Sequence, residues 1–138
     1  MLDQTDMTIL QELSKNSRIK MKELGEKAHL TGQAAASRVA KLEDNGVIEG
    51  YSIKVNEEKL GCFMHAFINV YLHDIHHRPF FSFVKTHNQF TLNNYKISGD
   101  GCYLLECRFP SNEYLSEFLE KLSEFANYKI STVINKMN

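Results

Sequence analysis

The sequence predicts an α+β chain with a head of three short helices, a short strand linker and a C-terminal ferredoxin-like βαββαβ sandwich. Two patterns lead to this prediction. Before residue 50, apolar side chains recur at helical spacing in three segments. After residue 61, alternation and helical spacing follow in the order strand, helix, strand, strand, helix, strand. The boundaries are a helical head at 1–50, a linker strand and hinge at 51–61, and the sandwich at 62–138.

The head reads as a helix-turn-helix. Its first helix spans about 3–14, with Asp3 available as a cap, and its second spans about 20–29. A four-residue turn leads into a third helix, which Thr31 caps and Gly46 closes in the left-handed conformation. Three short helices with a tight turn between the last two are typical of a DNA-binding head.

The third helix has one apolar stripe and one outer face that suits a DNA groove. Ala35, Val39 and Leu42 share the inner face at i, i+4, i+7 spacing. The opposite face is small and polar to basic, as entry into a major groove about 12 Å wide requires. We expect Gln33, Ala34 and Ser37 to meet base edges, and basic side chains to hold phosphates. The predicted DNA contacts are Arg18, Lys22, Thr31, Gln33, Ala34, Ser37, Arg38 and Lys41.

Net charge argues against DNA binding through bulk positive charge. The formal net charge is −1, and residues 1–50 hold seven Lys and Arg against eight Asp and Glu. Any DNA binding must therefore come from the local arrangement of a few basic side chains. Since the outer face is rich in Ala, we expect modest sequence specificity, with DNA bending adding selectivity.

The second half of the chain alternates between strand and helix patterns. Ser98 to Gly101 has the composition of a hairpin turn, and Pro79 and Ser111 suit helix starts. The predicted elements are a linker strand at 51–55, a polar turn at 56–59, a strand at 63–72, a helix at 79–87, strands at 90–97 and 102–109, a helix from 111 to about 125, and a strand at 128–136.

The first sandwich strand is apolar on both faces. Its Ile68 side can pack on the two helices, which leaves Phe63, Phe67 and Tyr71 on the opposite face. An exposed aromatic patch usually marks an interaction site. We therefore expect these three residues in a sheet-to-sheet dimer interface, which would also present two helix-turn-helix heads to two half-sites.

Short motifs along the whole chain resemble the Lrp/AsnC (leucine-responsive, feast-famine) family of bacterial and archaeal transcriptional regulators. The resemblance implies a regulator that binds double-stranded DNA as a dimer or a larger assembly such as an octamer. It also implies a small effector such as an amino acid. The motifs are Leu2-Asp3-Gln4-Thr5-Asp6, Ile9-Leu10, Leu13, Asn16-Ser17-Arg18, Leu24-Gly25, Arg38-Val39, Leu42-Glu43, Asn45-Gly46-Val47-Ile48, Gly50-Tyr51, Leu60-Gly61 and Ile97-Ser98-Gly99-Asp100.

The resemblance places the effector near a turn formed by Gly99, Asp100, Gly101 and Cys102. Family members typically carry a second Asp two residues after the first, where this chain has Cys102. A thiol is a poor acceptor for an α-amino group, so the departure weakens the expectation of amino-acid sensing. The alternative is a plain hairpin turn, with Asp100 and the glycines serving turn geometry.

We consider the cysteines and a histidine cluster as possible metal ligands. The cysteines are odd in number and lack zinc-site spacing, so free buried thiols are expected. The histidine cluster before Pro79 could bind a transition metal, although a solvated loop is the simpler interpretation and no metal site is assigned. The residues concerned are Cys62, Cys102, Cys107, His73, His76 and His77.

No enzyme motif is present, neither a P-loop, nor a GxSxG elbow, nor a metalloprotease helix, so no catalytic residue or cofactor is predicted. No leader and no membrane-spanning run are apparent, which predicts a cytoplasmic protein. The main alternative to DNA binding is a metabolite-sensing or protein-interaction module whose C-terminal sheet is the working surface.

Overall fold

The computed structural model describes residues 1–138 and forms two compact units, Met1–Lys54 and Val55–Asn138. The predicted fold class is confirmed, since a three-helix head precedes a four-stranded sheet with two helices. No helix is long and apolar enough to cross a membrane. The elements are α1 Gln4–Lys15, α2 Met21–Lys27, α3 Gly32–Asp44, a 3₁₀ turn at Glu58–Leu60, β1 Met64–Leu72, α4 Arg78–Thr86, β2 Thr91–Lys96, β3 Tyr103–Phe109, α5 Asn112–Leu122 and β4 Ala126–Thr132.

Helix α1 begins with a reciprocal capping box. The Asp3 carboxylate accepts from the Asp6 backbone N–H at 2.8 Å, and the Asp6 carboxylate accepts from the Asp3 N–H at 3.1 Å. Two backbone donors that the first turn leaves free are thereby satisfied. The helix then buries Ile9 and Leu13 against the other two helices, and the apolar stripe of α3 completes this small core.

Helices α2 and α3 end in the same way, with a residue in the left-handed conformation. After α2 this residue is His29 (φ +58°), and after α3 it is Gly46 (φ +73°). In each case a backbone N–H beyond it reaches back five residues to a helix carbonyl, from Leu30 to Gly25 at 2.7 Å and from Val47 to Leu42 at 2.9 Å. The sequence predicted the closure at Gly46, whereas His29 adopts the same conformation with a side chain.

The turn between α2 and α3 leaves no room for a side chain at Gly25. A Cβ at that position would lie 2.6 Å from the carbonyl oxygen of Leu30 and 2.8 Å from that of Thr31. Both are backbone atoms, so the turn itself would have to move. Gly25 therefore fixes how closely the start of α3 lies against α2.

The sandwich is a four-stranded antiparallel sheet in the order β2-β3-β1-β4. Strand β1 lies in the centre and pairs Ile68 with Leu105 of β3 and with Ile130 of β4. Side chains on one face of the sheet pack with α4 and α5 to form the core. The buried members are Ile68, Val70, Phe80, Phe83, Tyr103, Leu105, Cys107, Phe109, Leu115, Phe118, Leu122 and Ala126.

Two strand predictions were wrong in extent. Residues 51–55 form no strand, because alternation alone supplies no partner and these residues pair with no other strand. Strand β4 ends at Thr132, since the last backbone hydrogen bond to β1 is donated by Val133 to the His65 carbonyl at 2.8 Å. Ile134, which falls within the predicted strand at 128–136, is fully exposed.

Two smaller expectations also needed correction. Ser111 is the N-cap residue of α5, but its side chain makes no capping hydrogen bond. Of the three free cysteines only Cys107 is buried, whereas Cys62 and Cys102 are half-buried. Burial raises the pKa of the Cys107 thiol to about 12.

Candidate nucleic-acid interface and effector turn

The outer face of α3 is exposed at the positions predicted to face DNA. Gln33, Ser37 and Lys41 are all exposed, and Ala34 beside them is half-buried. The first turn of the helix contains no acidic residue. The N-terminus of a helix carries partial positive charge, so an acid-free first turn favours the approach of phosphate groups.

Thr31 starts this helix by accepting a hydrogen bond at its Oγ1 from the Ala34 backbone N–H at 3.1 Å. That bond occupies the hydroxyl oxygen as a cap while the side chain stays at the surface. The beginning of α3 also lies against the beginning of α2, because a Cβ on Gly32 would be 3.2 Å from the Cα of Lys22. The structure therefore brings exposed Lys22 next to the α3 residues predicted to meet base edges.

Arg18 lies in the loop between α1 and α2 and is exposed. Its backbone N–H is held by the side-chain oxygen of Asn16 at 3.1 Å, which orders the loop locally. The guanidinium remains free to point into solvent, as a phosphate contact requires.

Arg38 departs from the other predicted DNA contacts. Its Nη1 lies 2.6 Å from an Asp3 carboxylate oxygen and 3.2 Å from an Asp6 carboxylate oxygen. The hydrogen bond from Arg38 holds the pKa of Asp3 below its usual value, and the two aspartates raise the pKa of Arg38. Sequence spacing did not reveal this ion pair, because the partners are 32 and 35 residues apart.

The predicted effector turn is anchored to β1. The Cys102 N–H donates to the Val70 carbonyl at 2.7 Å. Gly101 (φ +108°) lies so close to β1 that an added Cβ would be 2.9 Å from the same carbonyl oxygen. Gly99 is also in a positive-φ conformation, at +143°. The turn needs both glycines for its backbone, as the hairpin interpretation predicts.

The carboxylate of Asp100 is already engaged within the protein. One of its oxygens accepts a hydrogen bond from the Tyr71 hydroxyl, and the other lies 3.5 Å from the ammonium of Lys129. The Tyr71 hydrogen bond, followed by the charge of Lys129, lowers the pKa of Asp100. Asn69 adds a hydrogen bond to the Asp100 backbone carbonyl at 2.9 Å.

Sequence reasoning missed Lys129 and Asn69 at this site and assigned Tyr71 to another role. Alternation along β1 does place Asn69 and Tyr71 on the face away from the helices. The pairing of Asn69 with Lys129 across β1 and β4 brings the ammonium to the same face. The sequence shows the β1 alternation but not this register.

The face of the sheet away from α4 and α5 carries a second polar cluster. The His65 Nε2 lies 2.6 Å from a Glu106 carboxylate oxygen, and Asn93 donates to the other oxygen at 2.9 Å. Burial alone would raise the pKa of Glu106, but hydrogen bonds from Asn93 and His65 hold it below the usual value. Between the polar groups, Phe67 is half-buried, and Phe63, which directly precedes β1, is 66 % exposed.

The histidines before α4 make contacts of their own. His77 Nδ1 lies 2.9 Å from the Tyr103 hydroxyl, and His73 Nε2 lies 3.1 Å from the Asn127 side-chain oxygen. No three His, Cys, Asp or Glu side chains are grouped as a metal site would need. His77 is half-buried and packs on Tyr103, so it is not the freely solvated loop residue that the sequence suggested.

Comparison with known proteins covers both units. The family model for winged helix-turn-helix DNA-binding domains matches residues 2–49, and that for the Lrp/AsnC ligand binding domain matches residues 65–137. The HTH-type transcriptional regulator LrpA of Bacillus subtilis is 60 % identical over 136 residues, which cover 99 % of this chain and 100 % of that protein. The regulator LrpB of the same organism is 41 % identical over 140 residues, covering 99 % and 91 %.

Solved structures agree in fold over the full chain. The structure of B. subtilis LrpC superposes with a TM-score of 0.94 at 30 % identity, covering 100 % of this chain and 98 % of that one. A transcriptional regulator of Neisseria meningitidis, solved as a complex with L-methionine, gives 0.92 at 27 % identity and covers 100 % and 93 %. The sequence matches and the shared fold lead to one conclusion: the chain belongs to the Lrp/AsnC family of transcriptional regulators.

Proposed function

We propose that this regulator binds duplex DNA through the outer face of α3. In this proposal the helical head at 1–50 binds DNA, the sandwich at 62–138 mediates assembly, and the segment at 51–61 links them. The observation behind this proposal is the exposed, acid-free start of α3 beside Lys22. The comparisons support a DNA-binding role for the head. Catalysis is no part of the proposal, because the related proteins are named as transcriptional regulators.

Base edges and phosphates are contacted by different side chains in this proposal. Gln33 and Ser37 enter the major groove with Ala34, where a glutamine can pair with adenine and a methyl group can meet thymine. Lys41, Lys22 and Arg18 hold phosphates on either side. Direct readout by so few short side chains is thin, so specificity is modest and DNA bending contributes to selectivity.

The test compares Lys41→Ala with Gln33→Ala in titrations over several salt concentrations. Loss of one phosphate contact should weaken binding to every sequence and reduce the slope of log K against log salt by about 0.9. The Gln33→Ala variant should change the preference among sequences and leave that slope unaltered. Lys85→Ala, which removes an exposed charge on α4, is the matched control and should bind as wild type does. Equal binding by the Lys41 and Lys85 variants would contradict the assignment.

Assembly is proposed to occur through the open face of the sheet, where Phe63, Phe67 and Tyr71 lie. Phe63 is 66 % exposed in the single chain, and a helix layer covers only the opposite face. A second copy would bury these rings and bring two heads to half-sites about 34–36 Å apart. Phe67→Asp should shift sedimentation toward the monomer, whereas Phe81→Asp, at an exposed phenylalanine of α4, should not.

Effector binding is proposed at the turn of Gly99, Asp100, Gly101 and Cys102. Support comes from the ligand-binding family match and from two similar proteins solved with L-methionine, those of N. meningitidis and Mycobacterium tuberculosis. In this chain Lys129 and Tyr71 already engage Asp100, so an amino acid must compete for one carboxylate. Binding should therefore be weak.

Calorimetric titration with L-methionine and a panel of other amino acids tests the effector site. Lys129→Met should tighten the binding of an α-amino acid, because it removes the ammonium that competes for Asp100. Asp100→Asn should abolish it. An absence of heat from all amino acids with both wild type and Lys129→Met would leave the turn with a structural role only.

A further inference from the structure

One cleft of the head mixes the basic residues of α3 with acids from the start of α1. The charged side chains that line it are those of Arg38, Lys41 and Asp44 from α3 and those of Asp3 and Asp6 from the start of α1. Two basic side chains therefore lie near three carboxylates on this surface, and Met1 also lines it.

Arg38 is the centre of this arrangement. Its Nη1 alone makes both ion pairs, at 2.6 Å to Asp3 and 3.2 Å to Asp6. The side chain is 34 % exposed, and Asp3 is 55 % exposed, so the pair lies at the surface and solvent reaches it. Arg38 follows Ser37 and precedes Lys41 by one helical turn, which places it on the flank of the proposed DNA face.

We propose that the Asp3 and Asp6 carboxylates compete with DNA phosphate for Arg38 and so set the affinity of the head for DNA of any sequence. This inference rests on the proposed placement of α3 on DNA. In the free protein the guanidinium is neutralised by its own chain. On DNA it either stays paired, adding nothing, or exchanges a carboxylate for a phosphate at little net gain.

The acid can be removed without removing the helix cap. Asn is as good an N-cap residue as Asp, so Asp3→Asn keeps the hydrogen bond to the Asp6 N–H and loses only the charge. The Arg38 guanidinium then keeps only the Asp6 carboxylate as an internal partner and exchanges it more readily for a DNA phosphate. Because charge pairs at the surface are weak, we expect a complex that is about two- to fivefold tighter.

The experiment measures dissociation constants of the full-length protein on random-sequence linear DNA at four salt concentrations. Asp3→Asn should bind about two- to fivefold more tightly at low salt, and its log K should fall more steeply with log salt by about 0.9. Glu117→Gln changes the net charge equally at an exposed site of α5 and should bind as wild type does. Arg38→Met combined with Asp3→Asn should lose the gain.

Each result decides between the interpretations. Unchanged or weaker binding by a folded Asp3→Asn variant, with wild type binding normally, overturns the competition. A gain that persists in the Arg38→Met background also overturns it, since the acid would then act by general charge. Failure of wild type to bind any DNA at low salt refutes instead the proposed function. Circular dichroism melting of each variant checks that the head is folded.

Discussion

Replacing Gly25 by Ala should damage the head far more than the same change at Gly50. At Gly25 the new methyl would sit 2.6 Å from the Leu30 carbonyl oxygen, whereas ordinary contact begins at 3.4 Å. The crowding atoms belong to the backbone and cannot rotate away, so α2 and α3 must separate. At Gly50 an added Cβ meets nothing within 4 Å and the backbone is not left-handed.

The magnitude follows from two opposing effects at Gly25. Overpacking of this kind costs about 1–3 kcal/mol, and Ala recovers up to about 1 kcal/mol of helix propensity. With the full gain subtracted, the net loss is up to about 2 kcal/mol, and each kcal/mol lost should lower the melting temperature of the head by about 4–8 °C. The Gly50→Ala control should melt within about 0.5 kcal/mol of wild type.

Thermal melts followed by circular dichroism at 222 nm measure the stability change, and a mobility-shift titration measures its functional effect. The Gly25→Ala protein should also bind DNA more weakly at temperatures where it is still folded, because α3 no longer sits against Lys22. Equal melting temperatures and equal DNA binding of the two variants would falsify the argument that the close approach of α3 to α2 requires glycine at position 25.

Three further outcomes are expected. His29→Gly should raise the free energy of unfolding of the head by about 0.5–1 kcal/mol in a urea titration, because glycine adopts the left-handed backbone conformation without strain, as Gly46 does after α3. A loss of stability would show instead that packing of the imidazole outweighs this strain. The hydrogen bond from Arg38 lowers the pKa of Asp3, so the pair stabilises the folded protein fully above the unfolded pKa near 4. This stabilisation is lost as pH falls through the lower pKa of the folded state. In melts between pH 7 and 3, the melting temperature of Asp3→Asn should therefore fall less than that of wild type. Cys107, with a buried thiol and a pKa of about 12, should resist a thiol reagent at pH 8 until denaturant is added, and rapid labelling of the native protein would contradict its burial.

Local chemistry made much of the head predictable. Asp3 and Thr31 are caps with a short-range mechanism, and both hydrogen bonds are present. The close of α3 at Gly46 depends likewise on one residue's conformational freedom. The pairing of Arg38 with Asp3 could not be predicted in the same way, since it depends on how two helices far apart in sequence pack together.

The sandwich shows the same division between local and non-local information. Alternation identified β1 and separated its buried Ile68 side from the face with Phe67. It could not supply the register of β1 against β4, and so the contact between Asp100 and Lys129 was missed. The wrong strand at residues 51–55 has the same cause, because an alternating pattern says nothing about whether a neighbour exists to pair with.

The close approach of Gly101 to Val70 has a mechanical consequence. The turn lies in direct contact with β1, and the hydrogen bond from the Cys102 N–H to the Val70 carbonyl ties the two together. A ligand that displaced Asp100 could not move the turn independently of the strand. The turn could move only together with β1 and with β3 and β4, the strands hydrogen-bonded to it. A displacement at Asp100 would therefore be transmitted through the sheet.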